Sequence, residues 1–175
     1  MLFVDVREST QLARQLGATD FGKLMNRFYK TVSEVLVQTD AFIDKFVGDA
    51  VIGLYLPVFT GDEHASLAVD AAQQILKATG HALSGDAWLP VGVGVHTGTA
   101  YVGTVSGAED SISDITALGE SVNIAARLSS AAAAGEALIS DAAWTASGLD
   151  DEVAVHREVE LRGISGPVGV RVVRP

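Results

Sequence analysis

Segments of strand length come in adjacent pairs along this chain, and that order excludes most folds. FIDKF is followed at once by AVIGLYL, VGVGV by TAYVGTVSG, and VHREVELRG by PVGVRVV, with helix-length segments between the pairs. Parallel strands need a long crossover between them, whereas back-to-back strands form antiparallel hairpins. The whole order reads β-αα-ββ-α-ββ-α-β-α-ββ. It predicts an α+β fold with a ferredoxin-like split βαββαβ core. The sheet should be mixed but mainly antiparallel, with helices on one side and a C-terminal β-α-β-β extension.

Local signals fill in this outline. LFVDV (2–6) reads as a buried strand. A helix should start within residues 7–10 and stop at Gly17. In a second helix, Phe21, Leu24, Met25, Phe28, Val32, Val35 and Leu36 form one apolar stripe, with Asp20 placed to cap it. The hairpin turn falls at Val47 and Gly48. Asp62 opens a third helix with Ala65, Ala68, Ala72, Ile75 and Leu76 on one face. VGVGVHTG (91–98) alternates Val with Gly, the pattern of a strand closely approached by another backbone or a ligand. Residues 107–113 read as a polar loop, and 119–133 as a fourth helix carrying Asn123 and Arg127. EALIS is a short strand and DAAWTAS a short helix.

At 175 residues and 48% hydrophobic, residues 1–175 make a single domain with a sizeable core. The chain opens directly on the apolar MLFVDV, as expected of a domain cut from a longer polypeptide or of a start site placed late. No apolar run approaches the roughly 20 residues that span a bilayer, and no signal peptide is visible. With zero cysteines, the expectation is a cytoplasmic domain without direct membrane contact in this segment. A net charge of −10 argues against nucleic acid as a partner. An acidic protein that binds nucleotide needs metal cations, or a few Arg and Lys, at the site itself. His64, His81, His96 and His156 show no ligand spacing, and there is no P-loop or GxSxG motif.

The hairpin DAFIDKFVGDAVIGLY (40–55) is apolar except for Asp44, Lys45 and Asp49 near its turn. Burying unpaired charge is costly, so each must be exposed, paired or ligand-bound. Asp5 interrupts the first strand, which the split core places beside this hairpin. Two carboxylates held together repel unless a cation lies between them. Hard oxygens plus substrate phosphates suit Mg²⁺. Taken singly, a helix cap at Asp5 and a turn residue at Asp49 account for them as simply. Asn123 and Arg127, four apart, share a helix face. They suit a hydroxyl and a phosphate respectively, although a solvated helix face explains the pair as well.

In order along the chain, FVDVREST, FIDKFVGDAV, VGVGVHTG, DITALGESVNIAARL, EALIS and VELRGISGPV resemble the class III adenylate/guanylate cyclase catalytic domain, from residue 2 almost to residue 173. The resemblance implies a head-to-tail homodimer with two active sites at its interface, converting ATP to 3′,5′-cyclic AMP and pyrophosphate in signal transduction. Asp5, Val6 and Asp49 match the metal-binding positions for two divalent cations, Mg²⁺ or Mn²⁺. Lys45 matches the lysine that reads the purine, serving the other site from the one Asp49 serves. Asn123 matches the residue that orients the ribose, and Arg127 the one that stabilises the pentavalent phosphate. N–H groups at residues 7–10 are expected to hold the triphosphate. An upstream regulatory domain is a further expectation, in a parent chain compatible with membrane attachment.

Departures from the family pattern are informative. Thr116 stands where many adenylyl cyclases carry an aspartate beside the base-reading lysine. A Lys–Thr pair resembles a bacterial variant that favours adenine, whereas guanylyl enzymes carry Glu at the lysine position, so Lys45 points to ATP. Ser9, followed by Thr10 in the substrate-binding set, replaces the usual Phe. Arg162 replaces the lysine that reaches the triphosphate, keeping the charge with different geometry. No arginine precedes Asp114 in residues 107–113, where many active members carry one. That absence favours an alternative: a degenerate cyclase-like module that binds nucleotide or a partner without turnover. A diguanylate cyclase is not supported, because no GGDEF-type run occurs at the hairpin.

Overall fold

The computed structural model describes residues 1–82, 87–106, 113–150 and 154–175. Strand β1 (Leu2–Val6) leads into helix α1 (Ser9–Gln38), then the hairpin β2 (Phe42–Val47) and β3 (Ala50–Leu54). A short helix α2 (Pro57–Thr60) and a 3₁₀ turn (Gly61–Glu63) precede α3 (His64–Ala78). Then come β4 (Val91–Val95), the ribbon β5 (Tyr101–Ser106) and β6 (Ser113–Leu118), and α4 (Glu120–Ala131). β7 (Ala137–Ser140), α5 (Asp141–Ser147), β8 (Val155–Glu160) and β9 (Pro167–Val173) complete the chain.

Seven strands form one sheet in the order β2-β3-β1-β4-β7-β9-β8, and β5 pairs with β6 in a separate two-stranded ribbon. Among the described residues only β4 and β7 run parallel; the other pairs are antiparallel. The expected α+β fold with a mixed, mainly antiparallel sheet is therefore present. β1 lies inside the sheet beside the central β4, hydrogen-bonded to β3 on one edge and β4 on the other.

Strand alternation decides what each face carries. Val4 and Val6 of β1, Val91, Val93 and Val95 of β4, and Ile139 of β7 enter the main core with Phe28, Val32 and Leu36 of α1 and Ile75 and Leu76 of α3. Leu138, Val170 and Val172 face the other way and pack with Leu128 of α4 and Ala132 just past its end. Helices thus cover both faces, not one. The Val-Gly alternation of β4 explains the second layer. A Cβ on Gly94 would lie 2.2 Å from the Ser129 nitrogen and 2.5 Å from the Ala125 carbonyl oxygen of α4. The glycines admit a helix backbone directly against the strand.

Other details also differ from the sequence reading. Gly17 does interrupt the helix, with φ 75° and ψ 165°, but as a kink between two segments of α1 rather than as a stop. The left-handed φ is one that only glycine adopts readily. Asp20 lies within the resumed helix and accepts from Lys23 at 2.8 Å instead of capping. The hairpin turn is Gly48–Asp49, one residue later than expected, because Val47 pairs with Ala50. β6 had no counterpart in the sequence reading, and it begins at Ser113, the last residue of the expected loop. Residues 107–112 of that loop lie outside the described residues.

Candidate active site

Asp5 and Asp49 come together at one end of the central strands. Asp5 stands opposite Ala50 in the β1–β3 ladder, and the Val6 N–H donates to the Asp49 carbonyl at 3.1 Å. Because Val4 and Val6 point into the core, Asp5 between them points towards α4. Asp5 and Asp49 line a cleft of about 320 Å³ with Phe3, Ile52 and, from α4, Ala126, Ser129 and Ser130. Burial pushes the Asp5 carboxyl above its ordinary range. The Arg7 guanidinium pulls it down, and the negative charge of Asp49 pushes it up again, leaving it raised. Two carboxylates facing one cleft in this way favour a cation between them.

Both carboxylates are already held. The Arg7 Nη2 donates to Asp5 Oδ2 at 2.5 Å, while Nη1 donates to the carbonyls of Ser130 (3.0 Å) and Ala132 (3.1 Å) at the end of α4. Arg7 therefore ties β1 to α4, a link that the sequence did not reveal. Ser9 Oγ donates to Asp49 Oδ2. Glu8 adopts a left-handed conformation at the start of α1, and the Arg7 N–H is taken by the Pro90 carbonyl at 2.8 Å. Arg7 cannot then offer its N–H to a phosphate, which corrects one part of the expected triphosphate site. Thr10 is exposed on the first turn of α1; with Ser9 and Asp49 it lines a second hollow, of about 580 Å³.

Lys45 and Thr116 belong to different sheets, yet the fold brings them close through Asp44. Lys45 Nζ lies 4.0 Å from Asp44 Oδ2, and Thr116 Oγ1 donates to the same oxygen at 3.4 Å. Asp44 sits where the β2–β3 register shifts between Ile43 and Lys45. Such a bulge re-aims a side chain, and here a carboxylate only 3% exposed stands beside the lysine. Asp44 was noted in the sequence only as a charge needing a partner. The hairpin tip is anchored by Tyr29 of α1, whose hydroxyl donates to the Gly48 carbonyl and whose ring lies 5.0 Å from that of Phe46.

Asn123 and Arg127 lie exposed, one turn apart on α4. Arg127 and Arg162, the latter in the turn after β8, line a shallow hollow of about 220 Å³ with Ser130 and Glu160. None of Lys45, Thr116, Asn123, Arg127 and Arg162 lines the Asp5–Asp49 cleft. Within one chain the predicted residues thus form three groups: the carboxylate cleft, the Lys45–Asp44–Thr116 cluster, and the Asn123–Arg127–Arg162 surface.

The cleft suits the cations that the sequence implied. Among the described residues no group of three His, Cys, Asp or Glu converges, so two carboxylates are the acidic ligands on offer. That donor set fits an ion that keeps its waters and completes its shell with phosphate oxygens. A paired carboxylate cleft, on a split ferredoxin-like sheet with a ribbon standing off it, is what a nucleotidyl cyclase domain would present.

Comparison with known proteins agrees. Residues 1–171 match the adenylate and guanylate cyclase catalytic domain family, and the chain belongs to this class III family. The crystal structure of the adenylyl cyclase CyaB from P. aeruginosa superimposes with a TM-score of 0.81 at 30% identity, covering 99% of this chain and 92% of that one. The guanylyl cyclase Cya2 gives 0.81 at 25% identity, over 98% and 88% of the two chains. An adenylate cyclase of Anabaena cylindrica is 30% identical over 132 residues, 73% of this chain and 26% of its own length. An uncharacterized protein of Mycobacterium tuberculosis is 31% identical over 182 residues, 100% of this chain and 32% of its own. The chain spans about a quarter to a third of these two curated relatives. No helix among the described residues is long and apolar enough to cross a membrane.

Proposed function

We propose that this chain is an adenylate cyclase domain, which converts ATP to 3′,5′-cyclic AMP and pyrophosphate at the interface of a head-to-tail homodimer. The observation that carries the reading is the convergence of Asp5 and Asp49 on one cleft. Two divalent cations, Mg²⁺ or Mn²⁺, bound there by Asp5, Asp49 and the Val6 backbone, would supply Lewis-acid activation of the ribose hydroxyl and neutralise the triphosphate. Lys45 and Thr116 read the adenine, and Asn123 orients the ribose. The 3′-oxygen attacks the α-phosphorus as the bond to the bridging oxygen breaks. Pyrophosphate leaves and the hydroxyl proton passes to solvent. Arg127 offers a guanidinium where charge grows on the α-phosphate. Arg162, Ser9, Thr10 and the N–H groups of residues 8–10 hold the triphosphate.

Two features support the dimer. The three groups of site residues stand apart in one chain, as two sites shared between copies would require. The β5–β6 ribbon exposes Tyr101, Val102, Ile115 and Leu118, and the nearby hairpin exposes Phe46 and Val47. A two-stranded ribbon is marginal alone, and this apolar surface suits a partner. A second reading, a module that binds nucleotide without turnover, is favoured by one contact: Arg7 already occupies the Asp5 carboxylate.

Purified protein with ATP, and separately GTP, in Mn²⁺ or Mg²⁺, followed by mass spectrometry, separates these readings. Cyclic AMP that vanishes in Asp49→Ala is the expected result. Nucleotide binding without any cyclic product, at protein concentrations high enough to form the dimer, would establish the binding module instead.

A further inference from the structure

The cluster around Thr116 contains a group with no role in the function proposed so far. A threonine hydroxyl can donate or accept, so alone it distinguishes poorly between the 6-amino group of adenine, a donor, and the 6-carbonyl of guanine, an acceptor. In this structure the neighbouring strand biases the choice. The Thr116 hydroxyl points its proton at Asp44 Oδ2, a long contact of 3.4 Å, and the same carboxylate oxygen lies 4.0 Å from Lys45 Nζ. With its proton committed, Thr116 Oγ1 presents only lone pairs outward.

We infer that Asp44 is a specificity-determining positioning residue: by accepting the Thr116 proton and holding Lys45, it makes the purine site an acceptor for an exocyclic amine and so selects adenine over guanine nucleotides. This rests on the reading of Lys45 and Thr116 as the purine-binding pair. The local fold is built for the role. Asp44 occupies the irregular position of β2, where the ladder steps from Ile43–Gly53 to Lys45–Ile52. Its side chain thereby reaches β6 of the separate ribbon rather than solvent. A carboxylate contributed from β2 takes over, through one intervening hydroxyl, the acceptor character that a residue on β6 would otherwise supply.

The test is the ratio of kcat/KM for ATP to kcat/KM for GTP, with competition of ATP and GTP against a fluorescent ATP analogue as a readout independent of turnover. Asp44→Asn keeps the shape, and its amide can donate to Thr116, freeing the hydroxyl proton for a guanine carbonyl. The ATP preference should fall about tenfold, the discrimination expected from one hydrogen bond whose sense is reversed. Adding Thr116→Asp to that variant restores an acceptor directly and should restore the preference, which a merely structural role for Asp44 would not predict. A ratio within twofold of the parent in Asp44→Asn overturns the inference. Should that variant not fold, Thr116→Val must lose the preference, and an unchanged ratio there overturns it equally. Lys45→Ala separates the two levels. If it leaves the ratio intact, the purine-site reading fails. If it abolishes the preference while Asp44→Asn does not, only the role of Asp44 fails.

Discussion

On one face of the sheet Val91, Val93 and Val95 share a core of large side chains with α1, α3 and α5; on the other, Gly94 meets the backbone of α4, and Gly92 meets Ala132 just past its end, with almost no side chain between. The first face resembles an ordinary core, where flexible apolar groups can readjust after a change. The second fixes the distance between a strand and a helix backbone, leaving nothing to readjust. Asn123 and Arg127 ride on that closely seated helix, and Ala126, Ser129 and Ser130 wall the carboxylate cleft. Bulk supplies stability on one side; close approach supplies position on the other.

The largest stability loss should come from the bulky face. Phe28→Ala removes a fully buried ring and should cost about 4 kcal/mol in chemical denaturation. Cyclase activity per folded molecule should stay close to the parent's. Gly94→Ala should cost somewhat less, about 3 kcal/mol, because α4 must retreat from the new methyl. Here kcat should fall at least tenfold even in fully folded protein, since Asn123 and Arg127 move with the helix. If Phe28→Ala damages catalysis per folded molecule as much as Gly94→Ala does, the division between the faces is wrong.

Arg7→Ala sharpens the comparison at the cleft. It cuts the strap from β1 to the Ser130 and Ala132 carbonyls and should cost about 2 kcal/mol, as for bonds made by a charged donor. It also releases Asp5, so Mn²⁺ should bind more tightly by calorimetry. Weaker Mn²⁺ binding would show instead that Arg7 positions Asp5 for the ion.

The smallest effect belongs to Glu136, at the turn from α4 to β7. Burial pushes this carboxyl up, but the Ala133 N–H and the guanidinium groups of Arg157 and Arg174 outweigh that and leave it below its ordinary value. A carboxylate depressed in the folded state stabilises above its unfolded pKa, near 4.5, and that contribution is lost as pH falls through the folded value. Glu136→Gln should cost about 1 kcal/mol at pH 7. It should also flatten the stability curve below pH 4.5, as followed by thermal unfolding across a pH series.

Much of this architecture was legible because period and pairing are local. The stripe from Phe21 to Leu36 and the back-to-back strands needed no tertiary knowledge. The covering of both faces did not follow, because Gly92 and Gly94 announce a close neighbour without naming it. β6 was missed because SDITAL (113–118) lacks clean alternation and opens on two polar residues; its pairing with β5 completes it. The hairpin turn was misplaced by one residue, since only the ladder partner of Val47 decides between two adjacent registers. At the site, Asp5 and Asp49 were legible as charges in apolar strands. Arg7 and Asp44 were not, because their partners lie on α4 and β6, far away in sequence.

The interior position of β1 also bears on synthesis. Leu2 pairs with Val95 on one edge and with Gly53 on the other, so the strand of this domain that is synthesised first is among the last to be enclosed. At roughly 5–20 residues per second, roughly 5–20 s pass before its second partner exists. Throughout that interval LFVDV offers an open edge to any passing strand, and Asp5, besides its later duties, is the one charge in it that discourages such a visitor.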